Sequence, residues 1–265
     1  MTTDNTVILK TDDQGVATLT LNRPEIHNAF DDALISSLLQ ALATVEADPE
    51  VRALVLRSEG KSFSAGADLN WMRRMAGYDR EENHRDALQL AALMAKLNSL
   101  NKPTLARVQG AAFGGGVGLI ACCDMAVAAD RAVFALTEVR LGLLPAVISP
   151  YVIAAIGERA ARRYILTGER FDAVEARRIG LLHEVVPEER LDTALDGLLE
   201  SLLKGSPQAL TAAKSLIFAV SRQPTSEAVI ADTAERITNI RASDEGREGV
   251  AAFLEKRPPL WIGQE

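Results

Sequence analysis

The stretch Gln109–Asp124, QGAAFGGGVGLIACCD, constrains this chain more than any other. Three consecutive glycines, Gly114 to Gly116, separate two apolar runs. The run before them, Thr104–Val108, is short and bounded by Pro103, which predicts a buried strand. The run after them, Val117–Cys123, is small and apolar enough to be a fully buried helix. A glycine-rich turn entering a helix leaves backbone N–H groups unpaired and aimed at whatever sits at the helix start. Such a turn stabilises negative charge on an oxygen; the plainer alternative is a tight turn with close backbone packing. A second stretch, Lys61–Leu69 (KSFSAGADL), also places a small-residue turn after an apolar run, Ala53–Leu56. Two such turns can each offer one N–H to the same oxygen, which is how a developing oxyanion is held in acyl-group enolate chemistry.

The rest of the chain reads as alternating strands and helices. Strands are expected at Val7–Lys10 and Val16–Leu21 around a DDQG turn, then at Val51–Arg57. A helix from about Asp31 to Glu46 carries Leu34, Leu38, Ala41, Leu42 and Val45 on one face. Tyr78–His84 reads as a polar surface segment before a helix over Ala87–Leu100. Further strands are expected at Met125–Ala129, Val133–Leu136 and His183–Val186, and helices at Glu158–Thr167, Asp172–Ile179 and Pro187–Leu203. Beyond Gly205-Ser206-Pro207 the pattern is helical to Lys256. The strand–strand–helix order suggests stacked ββα turns.

Bulk properties remove several function classes. A formal charge of −7 argues against nucleic-acid or anionic-membrane partners, though local cations can still hold an anionic ligand. No apolar run approaches the ~20 residues of a membrane span, and the N-terminal MTTDNTVILK lacks a signal-peptide core. The two cysteines, Cys122 and Cys123, are adjacent and fit small buried thiols in a reducing compartment, so a cytoplasmic protein is expected. No His/Cys cluster has metal-ligand spacing.

Five segments, LNRPEIHNAF, FSAGADL, KPTLARVQGAAFGGGVGL, CDMAVAAD and FALTEVRLGLLP, follow one another with characteristic spacing. With LTGERFDAVEARRIGLLHEVVP and EGREGVAAFLEKR, they give a chain that resembles the enoyl-CoA hydratase/isomerase (crotonase) family from about Val7 to about Trp261. The resemblance implies an α/β fold: a stacked ββα superhelix over residues 1–204, which binds acyl-CoA, and a helical region over 205–265. It also implies that the helical region builds homotrimers, often paired into hexamers. Coenzyme A enters as part of the substrate, and no separate cofactor is expected.

By the same resemblance the thioester oxygen is held by the backbone N–H groups of Ala67 and Gly115, and Glu138 is the catalytic carboxylate. Read without the family, Glu138 is a strand-end carboxylate paired with Arg140. Leu136, Val139, Leu141 and Leu143 around it would raise its pKa. Ile26, His27, Ala65, Asp68 and Leu69 are expected to line the CoA path with Ala67 and Gly115, and Phe253 and Lys256 to reach CoA near the C-terminus. Lys256 also fits a solvated helix end. His84 and His183 read as surface or satisfied histidines, and Lys61 and Arg73-Arg74 as solvated cations.

Two departures stand out. Hydratases of the family usually carry a second glutamate three residues after the middle glycine of the triplet, where this chain has Gly118. Where the family often continues with GxGG after the equivalent of Pro145, this chain has Ala146-Val147-Ile148-Ser149. The text is most similar to methylglutaconyl-CoA hydratase-like members, which suggests a branched or dicarboxylic enoyl-CoA such as 3-methylglutaconyl-CoA. An isomerase with one carboxylate, or a CoA-binding protein with little turnover, are the competing readings. A distal carboxylate on the acyl group would need a cation. If Arg140 continued a strand from Glu138 it would share its face.

Overall fold

The computed structural model describes residues 6–262, and these form two compact units. The first holds 6–100 and 104–196; the second holds 101–103 and 197–262.

In the first unit, β1 (Val7–Thr11) and β2 (Val16–Leu21) form an antiparallel hairpin. Helix α1 (Asp32–Ala47) follows, capped by the Asp31 side chain, which accepts from the Leu34 N–H. Its apolar stripe Leu34, Ile35, Leu38, Leu42 and Val45 is buried. Three ββα turns then repeat. The first has β3 (Ala53–Ser58), β4 (Ser62–Ser64), α2 (Leu69–Met75) and α3 (Arg80–Ser99). The second has β5 (Thr104–Val108), β6 (Ala111–Phe113) and α4 (Gly115–Cys122); the third has β7 (Met125–Ala129), β8 (Val133–Ala135) and α5 (Ser149–Thr167). Then come β9 (Phe171–Asp172), α6 (Ala173–Arg178), β10 (Glu184–Val186) and α7 (Leu191–Leu203), the last of which runs into the second unit.

The first strand of each turn joins a six-stranded sheet ordered β1-β2-β3-β5-β7-β10, and the second joins a four-stranded sheet ordered β4-β6-β8-β9. Strands β2, β3, β5, β7 and β10 run parallel, as do β4, β6 and β8. Buried on both faces, β3, β5 and β7 consist of near-continuous apolar runs, ALVLRS, TLARV and MAVAA. This is the stacked ββα architecture expected from the sequence.

Several boundaries differ from the sequence reading. Strand β3 starts at Ala53, not Val51. Helix α3 starts at Arg80, inside the polar segment read as surface chain, because Asp79 and Glu82 form a reciprocal capping box. Helix α5 starts at Ser149; Gly157, at φ 74°, breaks it, and the expected Glu158–Thr167 is its second half. A short 3₁₀ turn, Glu188–Arg190, precedes α7. Strands β4, β6 and β9 are two or three residues long, too short to show a period.

The second unit contains α8 (Pro207–Val220), α9 (Glu227–Ala242) and α10 (Asp244–Glu255), each capped at its N-terminus by a serine: Ser206, Ser226 and Ser243. From Gly197 onward only Lys214 and Ala252 are buried among the described residues, while Phe253, Leu254 and Leu260 are exposed. No helix among the described residues is long and apolar enough to cross a membrane.

Candidate active site

The small sheet sets the geometry. Strands β4, β6 and β8 are parallel neighbours, with Ser64 opposite Ala112 and Ala112 opposite Phe134. Their carboxyl ends therefore lie side by side, the usual place for a ligand in a parallel sheet. Ala67 stands three positions beyond Ser64, Gly115 three beyond Ala112, and Glu138 three beyond Ala135, the last residue of β8.

The first turn is fixed by Phe30. The Phe30 N–H donates to the Gly66 carbonyl at 2.7 Å, and the Asp68 N–H donates to the Phe30 carbonyl at 2.7 Å. This parallel bridge engages the residues on either side of Ala67, so the Ala67 N–H points away from Phe30 and has no acceptor among the described residues. In the second turn Gly114 adopts φ +50°, open to a residue without a side chain, and donates its N–H to the Ala135 carbonyl at 3.0 Å. Gly115 is the first residue of α4, and its N–H has no acceptor among the described residues. A Cβ on Gly115 would lie 3.2 Å from the Phe30 ring, and one on Gly116 would lie 2.7 Å from the Ser64 carbonyl. Phe30 thus touches both donor turns, one by backbone and the other by its ring.

Glu138 lies against the second turn. A Cβ on Gly114 would sit 2.9 Å from Glu138 Oε1, so the carboxylate occupies the bare face of that glycine. Glu138 Oε2 is buried with no hydrogen-bond partner among the described residues. Burial pushes the carboxyl pKa up, partly offset by its own backbone N–H. Leu136 is fully buried, but Leu141 and Leu143 are exposed, so the last two do not supply the desolvation expected of them.

Residues 138–141 form a 3₁₀ turn rather than a strand, which overturns the shared-face expectation for Arg140. Arg140 donates to the Thr167 carbonyl at 3.4 Å and packs over Gly168, and it makes no ion pair with Glu138.

The volume beside Gly118 is filled. A Cβ there would lie 2.3 Å from Ile148 Cγ2, 2.8 Å from Ile148 Cβ and 3.4 Å from Met94 Cε. The position that usually carries the second glutamate is therefore packed with hydrocarbon from the AVIS segment and α3.

The residues expected along the CoA path fall as follows. Ile26 ends a 3₁₀ turn, Pro24–Ile26, and His27, exposed and left-handed at φ 55°, accepts the Ala65 N–H on its carbonyl at 2.9 Å. Its ring Nδ1 lies 3.1 Å from Ser62 Oγ. Ile26, His27 and Ala65 are thereby brought next to the first donor turn. Asp68 caps α2, its Oδ1 accepting from the Asn70 and Trp71 N–H groups. Leu69, 69% exposed, starts that helix. Phe253 and Lys256 belong to the second unit, where Phe253 is 82% exposed and Lys256 ends α10 in the left-handed region. His84 is exposed, and His183 exchanges backbone and ring hydrogen bonds with Ala126. Arg74 pairs with Asp32, and Arg73 donates to Asn70. Cys122 is buried with its Sγ 3.8 Å from Met94 Sδ, and Cys123 is half-buried.

The family model for enoyl-CoA hydratase/isomerase matches residues 11–264. The chain belongs to the enoyl-CoA hydratase/isomerase family. A crystal structure of an enoyl-CoA hydratase from Shewanella pealeana superposes with a TM-score of 0.94 at 47% identity, covering 97% of this chain and 96% of that one. The 2,3-dehydroadipyl-CoA hydratase of Escherichia coli is 35% identical over 95% of this chain and 96% of its own length. The hydroxycinnamoyl-CoA hydratase-lyase of Pseudomonas fluorescens is 36% identical over 76% of this chain and 74% of its own length. Relatives at nearly equal identity thus carry names with different acyl groups, so family membership leaves the acyl chain open.

Sequence reasoning missed two supports of this site, Phe30 and Asn28, and it noted Ile148 as a departure without its packing against Gly118. The His27-Asn28 pair did carry a signal, since both residue types are enriched in left-handed backbone. Nothing in the linear order links Ile148 to Gly118.

Proposed function

We propose that this protein hydrates 2-enoyl-CoA thioesters reversibly, with Glu138 as a single acid–base group and the Ala67 and Gly115 N–H groups as the oxyanion site. The observation that carries this reading is the free ends of β4, β6 and β8, which present two backbone donors and one desolvated carboxyl side by side. In the forward direction the Glu138 carboxylate takes a proton from water as the water oxygen bonds to Cβ. The electron pair of the double bond moves to the thioester oxygen as an enolate held by the two N–H groups. The carboxylic acid then returns its proton to Cα. Each donor to such an oxyanion lowers the barrier by roughly 3–4 kcal/mol. Adding water is redox-neutral, so the proposed reaction calls for no cofactor beyond the CoA of the substrate.

The acyl group in this reading is a branched one. The carboxylated version, 3-methylglutaconyl-CoA, needs a cation for its distal charge, and Arg140 is turned onto Thr167 and Gly168. One observation favours a second reading, enoyl-CoA isomerase: the hydrocarbon beside Gly118 leaves no second carboxylate there, and one carboxylate suffices to move a proton between Cα and Cγ. The test follows loss of the conjugated enoyl absorbance with crotonyl-CoA, a branched 2-enoyl-CoA and 3-methylglutaconyl-CoA. A 3-hydroxyacyl product supports hydration. Conversion of a 3-enoyl to a 2-enoyl thioester without it selects isomerisation. Tight binding with no solvent-deuterium exchange at Cα leaves a binding protein.

A homotrimer or a dimer of trimers belongs to the same proposal, supported by the exposed Phe253, Leu254 and Leu260 of the second unit. Light scattering after size exclusion tests it, and a monomeric mass at micromolar concentration would remove it.

A further inference from the structure

Asn28 is fully buried, and it is one of only four described non-glycine residues in left-handed backbone, at φ 54° beside His27 at φ 55°. Asparagine tolerates that region better than most residues, but a buried one needs a reason to be there. Its side chain meets three backbone groups. Oδ1 accepts from the Arg23 N–H at 2.8 Å, and Nδ2 donates to the carbonyls of Glu59 at 2.8 Å and Ser62 at 3.0 Å. Its own N–H donates to the Arg23 carbonyl at 2.9 Å, and its carbonyl accepts from Ser64 Oγ at 2.9 Å.

These bonds converge on the first donor turn from both ends. On one side, Asn28 with Gln109 Nε2 (3.2 Å) holds the Ser62 carbonyl, where β4 begins its run toward Ala67. On the other, the two left-handed residues swing the chain so that the His27 carbonyl receives the Ala65 N–H and Phe30 bridges Gly66 and Asp68. The Phe30 ring then lies against Gly115, so the same segment fixes the second donor.

We propose that Asn28 is a positioning residue for the oxyanion site, aiming the Ala67 N–H through the 62–66 segment and through Phe30. The inference rests on the reading of Ala67 and Gly115 as the oxyanion donors. An aim that is off by a fraction of an ångström matters most where charge develops, so losing Asn28 lowers turnover and spares binding of the unreacted thioester.

The test uses Asn28→Gly in the full-length protein. Glycine accepts φ 54° without strain and deletes only the three side-chain hydrogen bonds. Two readouts separate aim from fold: kcat against the Kd of saturated butyryl-CoA, and the enolate absorption band of bound acetoacetyl-CoA, which reports charge held by the donors. The expected result is a kcat loss of about 10- to 100-fold, a butyryl-CoA Kd within about threefold of wild type, and a weakened enolate band. Ser64→Ala, which removes the hydroxyl bond to the Asn28 carbonyl and the long 3.5 Å bond that the same oxygen accepts from the Gly66 N–H, should show the same signature to a smaller degree and serves if the glycine variant does not fold. An unchanged enolate band, or equal losses in kcat and butyryl-CoA affinity, in a folded variant overturns the positioning role. If wild type itself forms no enolate band, the oxyanion reading fails instead, so the two failures are distinguishable.

Discussion

Gly118 and Ile148 should behave as one unit in a double-mutant cycle. Gly118→Ala places a Cβ 2.3 Å from Cγ2 and 2.8 Å from Cβ of Ile148, a side chain that is itself 3% exposed. Ile148 Cβ is tied to its backbone and cannot rotate away, so the core must shift. Overpacking of this kind costs about 1–3 kcal/mol. Alanine returns about 1 kcal/mol of helix propensity over glycine, leaving a net loss of about 0–2 kcal/mol. Ile148→Ala alone should cost about 2–5 kcal/mol for the buried carbons and the cavity they leave. In the double variant the new methyl fills part of that cavity without strain, so its loss should fall short of the sum by about 1–2 kcal/mol. The assay is urea unfolding of the four proteins at one protomer concentration, since assembly would make midpoints depend on it. Additivity within about 0.5 kcal/mol would refute the claim that Ile148 is what excludes a side chain at 118. The chemical counterpart is Gly118→Glu combined with Ile148→Gly: a carboxylate seated there should raise crotonyl-CoA hydration above either single variant.

Glu138→Gln keeps the shape of the side chain but cannot exchange the proton, so turnover should fall by more than about tenfold, over roughly 1.4 kcal/mol, with acyl-CoA affinity retained; a smaller loss removes Glu138 as the acid–base group. Because burial raises the Glu138 pKa, the folded state binds more protons than the unfolded one between the ordinary carboxyl value and the raised one, and stability falls as pH rises through that window. Glu138→Gln should therefore be more stable than wild type at neutral pH, an advantage that vanishes below the ordinary carboxyl range, and thermal unfolding against pH reads it. Arg140→Met, freed from Thr167 and Gly168, should reduce activity equally on carboxylated and uncarboxylated branched enoyl-CoA; selective loss on the first would place the guanidinium in the acyl site.

The parts of this fold legible in the sequence are those whose cause is local. Apolar runs buried on both faces announced β3, β5 and β7, and the glycine triplet announced a turn that frees N–H groups. Asp79 and Glu82 also held a local cue, the capping box, but the polar YDREENH text outweighed it. Glu138 was different: its spacing from Arg140 suggests a surface pair, and only the family resemblance marked it as chemical. The structure explains the gap. Gly142, left-handed at φ 73°, closes a 3₁₀ turn by donating to the Glu138 carbonyl, and that turn sends the two side chains apart. Gly118 shows the same limit from the other side. A bare glycine in a buried helix says that a Cβ is excluded, yet its excluder, Ile148, lies on a segment that returns only after another strand pair. Both facts bear on the chemistry. A sequence can reveal that the second carboxylate is missing, whereas only packing reveals that hydrocarbon has taken its place, so that restoring the carboxylate requires two substitutions.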